Sequence, residues 1–190
     1  FFLHFIFNFF ITIITLKDAL LCLYNPLNNF DSPFIYSGIL STGCISGFHI
    51  YHMLFFKIKN LEEWIHHIIS CILVPFIGLN IPYGCALSLA NLSMCGIPGG
   101  IDYFLLFLLK YNIIDKFTEK KINRLLNLVL RYPFMFISCY IFYINYFRDN
   151  TLFTNIYLQL FSFIGMFLHL FNAGFYCDKV IENYYSYKLK

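Results

Sequence analysis

Apolar residues occur along this chain in long segments that are separated by short polar stretches. Such segments lie near residues 1–24, 34–56, 64–81, 83–109, 132–147 and 155–176. An α-helix needs about 20 predominantly apolar residues to cross the hydrocarbon core of a bilayer. The pattern therefore predicts an all-α fold, namely a polytopic membrane helical bundle of about six transmembrane helices.

The fourth apolar segment, residues 83–109, is longer than one straight span requires. Small and helix-breaking residues interrupt it at Pro98-Gly99-Gly100. Helix breakers at membrane depth are tolerated only where protein or a cavity satisfies the backbone groups that they free. We therefore expect this transmembrane helix to be broken at that run, inside the bundle.

The composition of the chain is that of a membrane protein. Of the 190 residues, 59% are hydrophobic and 12% are charged, and the mean hydropathy is +0.68. A soluble domain is nearer a quarter charged, so these values exclude a soluble globular protein. The seven cysteines have no C-x-x-C spacing, which indicates small buried side chains rather than disulfides or zinc ligands. Because the first residue is Phe and not Met, we expect the N-terminus to be truncated.

The basic residues are distributed unevenly over the two sides of the predicted bundle. If the apolar segments alternate in direction, the loops at residues 57–63 and 110–131 and the tail at 177–190 share one side. These stretches carry eleven of the thirteen Lys and Arg: Lys57, Lys59, Lys110, Lys116, Lys120, Lys121, Arg124, Arg131, Lys179, Lys188 and Lys190. The positive-inside rule makes this side cytosolic.

The basic stretch at 110–131 has a helical pattern of its own. Apolar residues recur there at a spacing of three to four, which predicts an amphipathic helix near Thr118 to Leu130. We expect this helix to lie on the membrane surface, attracted to anionic lipid. A patch for the phosphates of a CoA thioester is the alternative.

Four of the six histidines flank the first cytosolic loop. His49 and His52 lie near the end of the second apolar segment, and His66 and His67 lie near the start of the third. At a rise of about 1.5 Å per residue, all four fall at a similar depth below the cytosolic surface. An imidazole in lipid is unfavourable unless it faces a protein interior or a wet cavity, so this cluster predicts a functional site.

Two further side chains are expected at the same depth, Asp102 in the fourth segment and His169 in the sixth. Together with the four histidines they predict a polar cavity that opens to the cytosol. Side chains expected to contribute hydrogen bonds to it are Ser70, Asn91, Asn172 and Tyr51. Simpler interpretations stay open: packing at a helix interface for the histidines, including His169, and a cap of the half-helix after Gly100 for Asp102. We assign no metal to the site, and no role to His4.

Three sequence motifs bear a resemblance to a known family. They are G-F-H-I-Y-H at residues 47–52, W-I-H-H-I-I-S at 64–70 and S-L-A-N-L-S at 88–93. Over residues 34–176 the chain resembles the TLC domain family, which is a multi-helix lipid-associated fold of the endoplasmic reticulum. The resulting division is a first segment and loop at 1–33, the TLC-like domain at 34–176 and a basic tail at 177–190.

The resemblance implies a role in lipid metabolism at the endoplasmic reticulum. In the ceramide-synthase branch the paired histidines are catalytic in N-acyl transfer from acyl-CoA to a sphingoid base, so His66 and His67 are the implied catalytic residues here. The aspartates that follow the pair in that branch are represented by Asn91 and Ser93 in this chain. This difference favours a TLC-like protein of lipid handling or sensing. The implied partners are membrane lipid, acyl-CoA as a substrate and a second copy of the chain, with no resident cofactor and no nucleic acid.

Two functions of other classes remain as alternatives. A non-enzymatic lipid-binding protein or cargo receptor would use the same cavity without turnover. A membrane di-iron lipid oxygenase is suggested by H-x-x-H at residues 49–52 and H-H at 66–67, because imidazole clusters suit iron. Such oxygenases usually carry more histidines, in H-x-x-H-H boxes, than this chain has.

Overall fold

The computed structural model describes residues 1–29, 35–58, 61–81, 83–148 and 155–189, without the side chains at positions 35, 62, 63, 70 and 71. Nearly all of these residues are helical, and no strand occurs in the described ranges. The predicted all-α fold is confirmed.

The described residues form continuous helices that we number α1 to α6. α1 is Phe2–Tyr24 and α2 is Ile35–Phe55. α3 covers residues 61–80, α4 is Cys85–Lys110, α5 is Lys116–Arg148 and α6 is Ile156–Lys188. Within the described ranges, α1, α4, α5 and α6 are long and apolar enough to cross a membrane. The chain is thus a membrane helical bundle, and the count of six spans stays a prediction.

Three of these helices contain a π-helical turn, and each turn directly precedes a proline. The turns are Ile69–Leu73 in α3, Leu92–Gly96 in α4 and Asn127–Arg131 in α5. Each ends two residues before Pro75, Pro98 or Pro133. Proline has no N–H for the carbonyl four residues back, and its ring collides with that carbonyl, so the helix widens there instead of stopping.

The break predicted at Pro98-Gly99-Gly100 therefore takes the form of a π-helical turn at Leu92–Gly96, just before Pro98. The helix itself continues to Lys110. The glycines of this region permit close packing on α1. A Cβ added at Gly99 would lie 3.0 Å from Asn8 Nδ2, and one added at Gly96 would lie 3.1 Å from Thr12 Oγ1. Small residues at such interfaces let two helix backbones approach closely.

The basic stretch 110–131 contains the helix that was predicted near Thr118 to Leu130, as the first part of α5. Its helix begins after Asp115, which caps it by accepting from the Thr118 N–H, and runs without interruption into the fifth apolar segment. Its buried side is polar, with Glu119 and Asn127 both nearly inaccessible, whereas its exposed side carries Lys121 and then Leu125 and Val129. The polar side of the amphipathic pattern thus faces the bundle interior, and a location on the membrane surface stays a prediction.

The polar tail also belongs to a helix, because α6 extends to Lys188. Its last turns pack on the start of α5. The Tyr184 ring is buried and lies 5.7 Å from the Phe117 ring, and the Arg124 guanidinium lies 4.6 Å from the Tyr184 ring centroid. The two most basic stretches of the chain are therefore held together.

α1, like the first part of α5, buries polar side chains and exposes apolar ones. Its buried positions include Asn8, Thr15 and Asp18, whereas Phe9 and Ile13 are exposed. Exposed apolar side chains are those that face lipid, and buried polar side chains connect the helices to one another. The Asp18 carboxylate, for example, accepts hydrogen bonds from a serine hydroxyl of α2 and from one of α4.

Candidate functional site

α2 and α3 bring three of the predicted histidines into mutual contact. The Nδ1 atoms of His49 and His67 are 3.2 Å apart. The His66 ring centroid is 5.3 Å from each of the other two centroids. A bond between two imidazole nitrogens needs one donor and one lone pair, so at least one ring of the His49–His67 pair is neutral. α2 and α3 are thus arranged so that His49 and His52 lie against His66 and His67.

The cluster extends to two more imidazoles. The His52 ring stacks on His67 at 5.0 Å, and the His4 ring lies edge-on to His52 at 5.7 Å. His52 Nδ1 is buried without a hydrogen-bond partner among the described residues. We call His4, His49, His52, His66 and His67 the histidine cluster. Sequence reasoning missed His4, although its spacing of four from buried Asn8 places it on the polar face of α1.

α4 and α6 close the cluster on its other sides. The His66 side chain is hydrogen-bonded to Asn172, as expected for one of the predicted hydrogen-bonding residues, and its ring lies 5.0 Å from that of Tyr176. From α4, the Tyr103 ring lies 4.4 Å from His4. α2 and α6 therefore contact the paired histidines directly, and α1 and α4 contribute His4 and Tyr103 to the rest of the cluster and its surroundings.

Asp102 belongs to a second polar network, next to the cluster. Asn123 Nδ2 donates to Asp102 Oδ1 at 2.6 Å, Asn127 Nδ2 donates to Asn123 Oδ1 at 2.8 Å, and Arg131 Nη1 donates to Asn127 Oδ1 at 2.7 Å. These bonds form a relay from a guanidinium to a carboxylate. The adjacent Tyr103 is in electrostatic range of Asp102 and also touches the histidine cluster. The structure thus gives Asp102 amide and guanidinium neighbours, and not a cap at Gly100.

Asn91 connects α4 to an earlier part of α2. Its Nδ2 lies 2.7 Å from Ser41 Oγ, 2.8 Å from Thr42 Oγ1 and 3.2 Å from the Gly38 carbonyl oxygen. Ser41 precedes His49 by two helical turns, which is about 12 Å along the axis. Asn91 therefore acts in helix packing, away from the histidine cluster.

His169 and Ser70 complete the predicted set. His169 Nδ1 lies 2.8 Å from the Gly165 carbonyl of its own helix, and the ring lines a small cavity of about 20 Å³ with Tyr83 and Ser138. This is the packing role that the sequence left open for His169. Ser70 lies in the π-helical turn Ile69–Leu73, directly after the paired histidines, and its side chain is outside the described part.

A lipid-facing groove adjoins the histidine cluster. Its volume is about 480 Å³, and it lies between α1 and α2. The lining residues are Leu3, Ile6, Phe7, Phe10, Phe48 and Tyr51. The Phe48 ring stacks on Phe7 at 4.2 Å and also meets His4 edge-on at 4.6 Å. One aromatic wall therefore separates an apolar groove from the polar cluster.

No protein-family model, curated protein or solved structure matches this chain. The likeness to the TLC domain family accordingly remains a prediction from the motifs. What the fold itself provides is a cluster of imidazoles and an apolar groove that share a wall.

Proposed function

We propose that this chain is a TLC-like integral membrane protein that handles lipid. The acyl chain of the ligand would occupy the groove between α1 and α2, and its polar end would reach the histidine cluster. The observation that carries the proposal is the contact of Phe48 with both the groove and His4. A groove lined by six apolar and aromatic side chains suits an acyl chain, and imidazoles suit a hydrogen-bonding headgroup.

The proposed orientation has the histidine cluster near the cytosolic leaflet of the endoplasmic reticulum. Support comes from Lys57 after α2, Lys110 at the end of α4 and Lys188 at the end of α6, which would share one side if the six apolar segments alternate in direction. An acyl-CoA would approach from that side, because its phosphates are charged.

Filling the groove should expel the lipid. We expect Ile6→Trp, at a position that lines the groove, to reduce the lipid that copurifies with the protein several-fold, as measured by mass spectrometry. The matched control is Ile13→Trp, because Ile13 is exposed on the same helix but does not line the groove. Equal lipid retention by both variants would contradict a ligand in this groove.

Acyl transfer to a lipid amine is the enzymatic form of the proposal. A neutral imidazole of His66 or His67 would accept a proton as the amine attacks the thioester carbonyl, so that the C–N bond forms, the C–S bond breaks and the proton passes to the thiolate of CoA. His67 would be such an imidazole where it is the neutral ring of the His49–His67 pair, which requires at least one neutral ring.

The test is turnover of labelled acyl-CoA with a long-chain base by the purified protein. We expect His66→Ala/His67→Ala to abolish product formation, whereas His169→Ala, which removes an imidazole outside the cluster, should retain it. If the wild-type protein gives no product while lipid still binds in the groove, the non-enzymatic lipid-binding or receptor function is the correct form of the proposal.

A further inference from the structure

Three imidazoles of the histidine cluster are arranged as metal ligands. His49, His66 and His67 each offer one ring nitrogen, and these atoms all lie within 4.8 Å of one another. In a tetrahedral zinc site with Zn–N bonds of about 2.0–2.1 Å, neighbouring nitrogens are about 3.3 Å apart. The His49–His67 separation of 3.2 Å already has this value. No two nitrogens of the group therefore need to approach each other by more than about 1.5 Å.

We propose that His49, His66 and His67 bind one Zn²⁺ ion, with a coordination position left open toward the bundle interior. This site goes beyond the lipid-handling proposal and depends only on the geometry of the three side chains. It is compatible with lipid binding in the groove but not with His66 or His67 as a proton acceptor, because a zinc-bound neutral imidazole has no lone pair left.

The donor set distinguishes between metals. Imidazole suits zinc, copper, iron and nickel, but mononuclear non-haem iron usually takes two histidines and a carboxylate. No carboxylate belongs to this group, and Asp102 is engaged by Asn123. Three histidines with an open fourth position are a common form of catalytic zinc site. Within the described residues this is the one such group, which favours a single ion over the two ions of a di-iron oxygenase.

Residues around the three ligands provide the support that a metal site needs. A metal-bound histidine is usually oriented by a hydrogen bond from the ring N–H that does not bind the metal. Asn172 bonds His66 in this way, and Tyr176 packs against its edge. His52 stacks on the His67 ring at 5.0 Å and so helps to fix the orientation of that ring.

The competing explanation is structural. The His49–His67 contact is then a hydrogen bond that holds α2 against α3, and it has no affinity for metal. The two explanations differ in whether the full chain, once its metal has been removed by a chelator, binds added Zn²⁺.

The experiment is a titration of the chelator-treated protein in detergent with Zn²⁺ against a chromophoric competitor. We expect one ion per chain, bound in the micromolar range or tighter. His49→Ala and His67→Ala should each weaken binding by at least about 100-fold. His169→Ala is the matched control and should bind as the wild type does, because its imidazole bonds to its own helix.

Cobalt substitution separates these ligands from the cysteines. We expect Co²⁺ to give visible d–d bands of a nitrogen–oxygen site without the intense near-ultraviolet band of thiolate ligation, and His66→Ala to remove them. Helix content by circular dichroism shows that each variant is folded. Zinc bound through thiolate, zinc bound equally by the His49→Ala and wild-type proteins, or no binding would each overturn the proposal. Ile6→Trp, which blocks the groove, should bind zinc normally, so that failure of the lipid proposal is recognised separately.

Discussion

Replacing Asn127 by Leu should lower the free energy of unfolding by about 3 kcal/mol. Asn127 is completely buried. It accepts a hydrogen bond from Arg131 and donates one to Asn123, which in turn donates to Asp102. A side-chain hydrogen bond between membrane helices contributes only about 0.6 kcal/mol on average. The larger effect is expected because the substitution removes the bonds that Asn127 makes to the Arg131 guanidinium and to the side-chain oxygen of buried Asn123.

Unfolding by SDS in mixed micelles measures this loss. Asn80→Leu is the matched control, since the exposed Asn80 side chain bonds only to a carbonyl of its own helix, and we expect it to change stability little. The quadruple variant Asp102→Leu/Asn123→Leu/Asn127→Leu/Arg131→Met should recover much of the loss, because replacing a whole buried polar network is often neutral. An Asn127→Leu variant as stable as Asn80→Leu would show that the relay is not structural.

Gly165→Ala should destabilise the bundle by about 2 kcal/mol. The added Cβ would overlap the Tyr83 hydroxyl and lie 2.8 Å from Ile77 Cγ2. Tyr83 has little room to move, because it is buried and donates to the Ser162 carbonyl at 3.1 Å. The contact between α6 and the end of α3 must therefore open.

The comparison is again SDS unfolding, now with Gly174→Ala on the same helix. A Cβ at Gly174 would lie 3.5 Å from its nearest neighbour, Tyr132 Cε2, which is an ordinary contact. That variant should be neutral or slightly more stable, since alanine favours a helix over glycine by about 1 kcal/mol. Removing the hydroxyl as well, in Gly165→Ala/Tyr83→Phe, should restore part of the loss. Equal stability of Gly165→Ala and Gly174→Ala would rule out the overlap.

Much of the secondary structure was predictable because hydropathy and proline act locally. The first apolar segment was expected at residues 1–24 and is the helix Phe2–Tyr24. The irregularity near Pro98 was also expected, since proline lacks an N–H wherever it stands. The helix near Thr118 was predicted too, and its location on the membrane surface stays a prediction. The burial of its polar face was not predicted, because an amphipathic pattern is the same whether that face meets water or a polar bundle interior.

The candidate site was only partly predictable. His49, His66 and His67 converge, and their spacing around one short loop was a sufficient signal. His4 joins them from α1, more than 40 residues earlier in the sequence, and Asn123 of α5 bonds Asp102 of α4. Contacts of this kind depend on which helices are neighbours, and a single sequence carries no information about that.

The sequence by itself determined that this is an all-α membrane protein, and how far along each helix its polar residues lie. Both follow from hydropathy and from a constant rise per residue. Tertiary structure alone decided the direction in which each residue points. Asp102 and His169 were expected at the depth of the histidine cluster, yet one bonds Asn123 and the other its own helix. The reason is that rotation of a helix about its axis is set by packing against its neighbours.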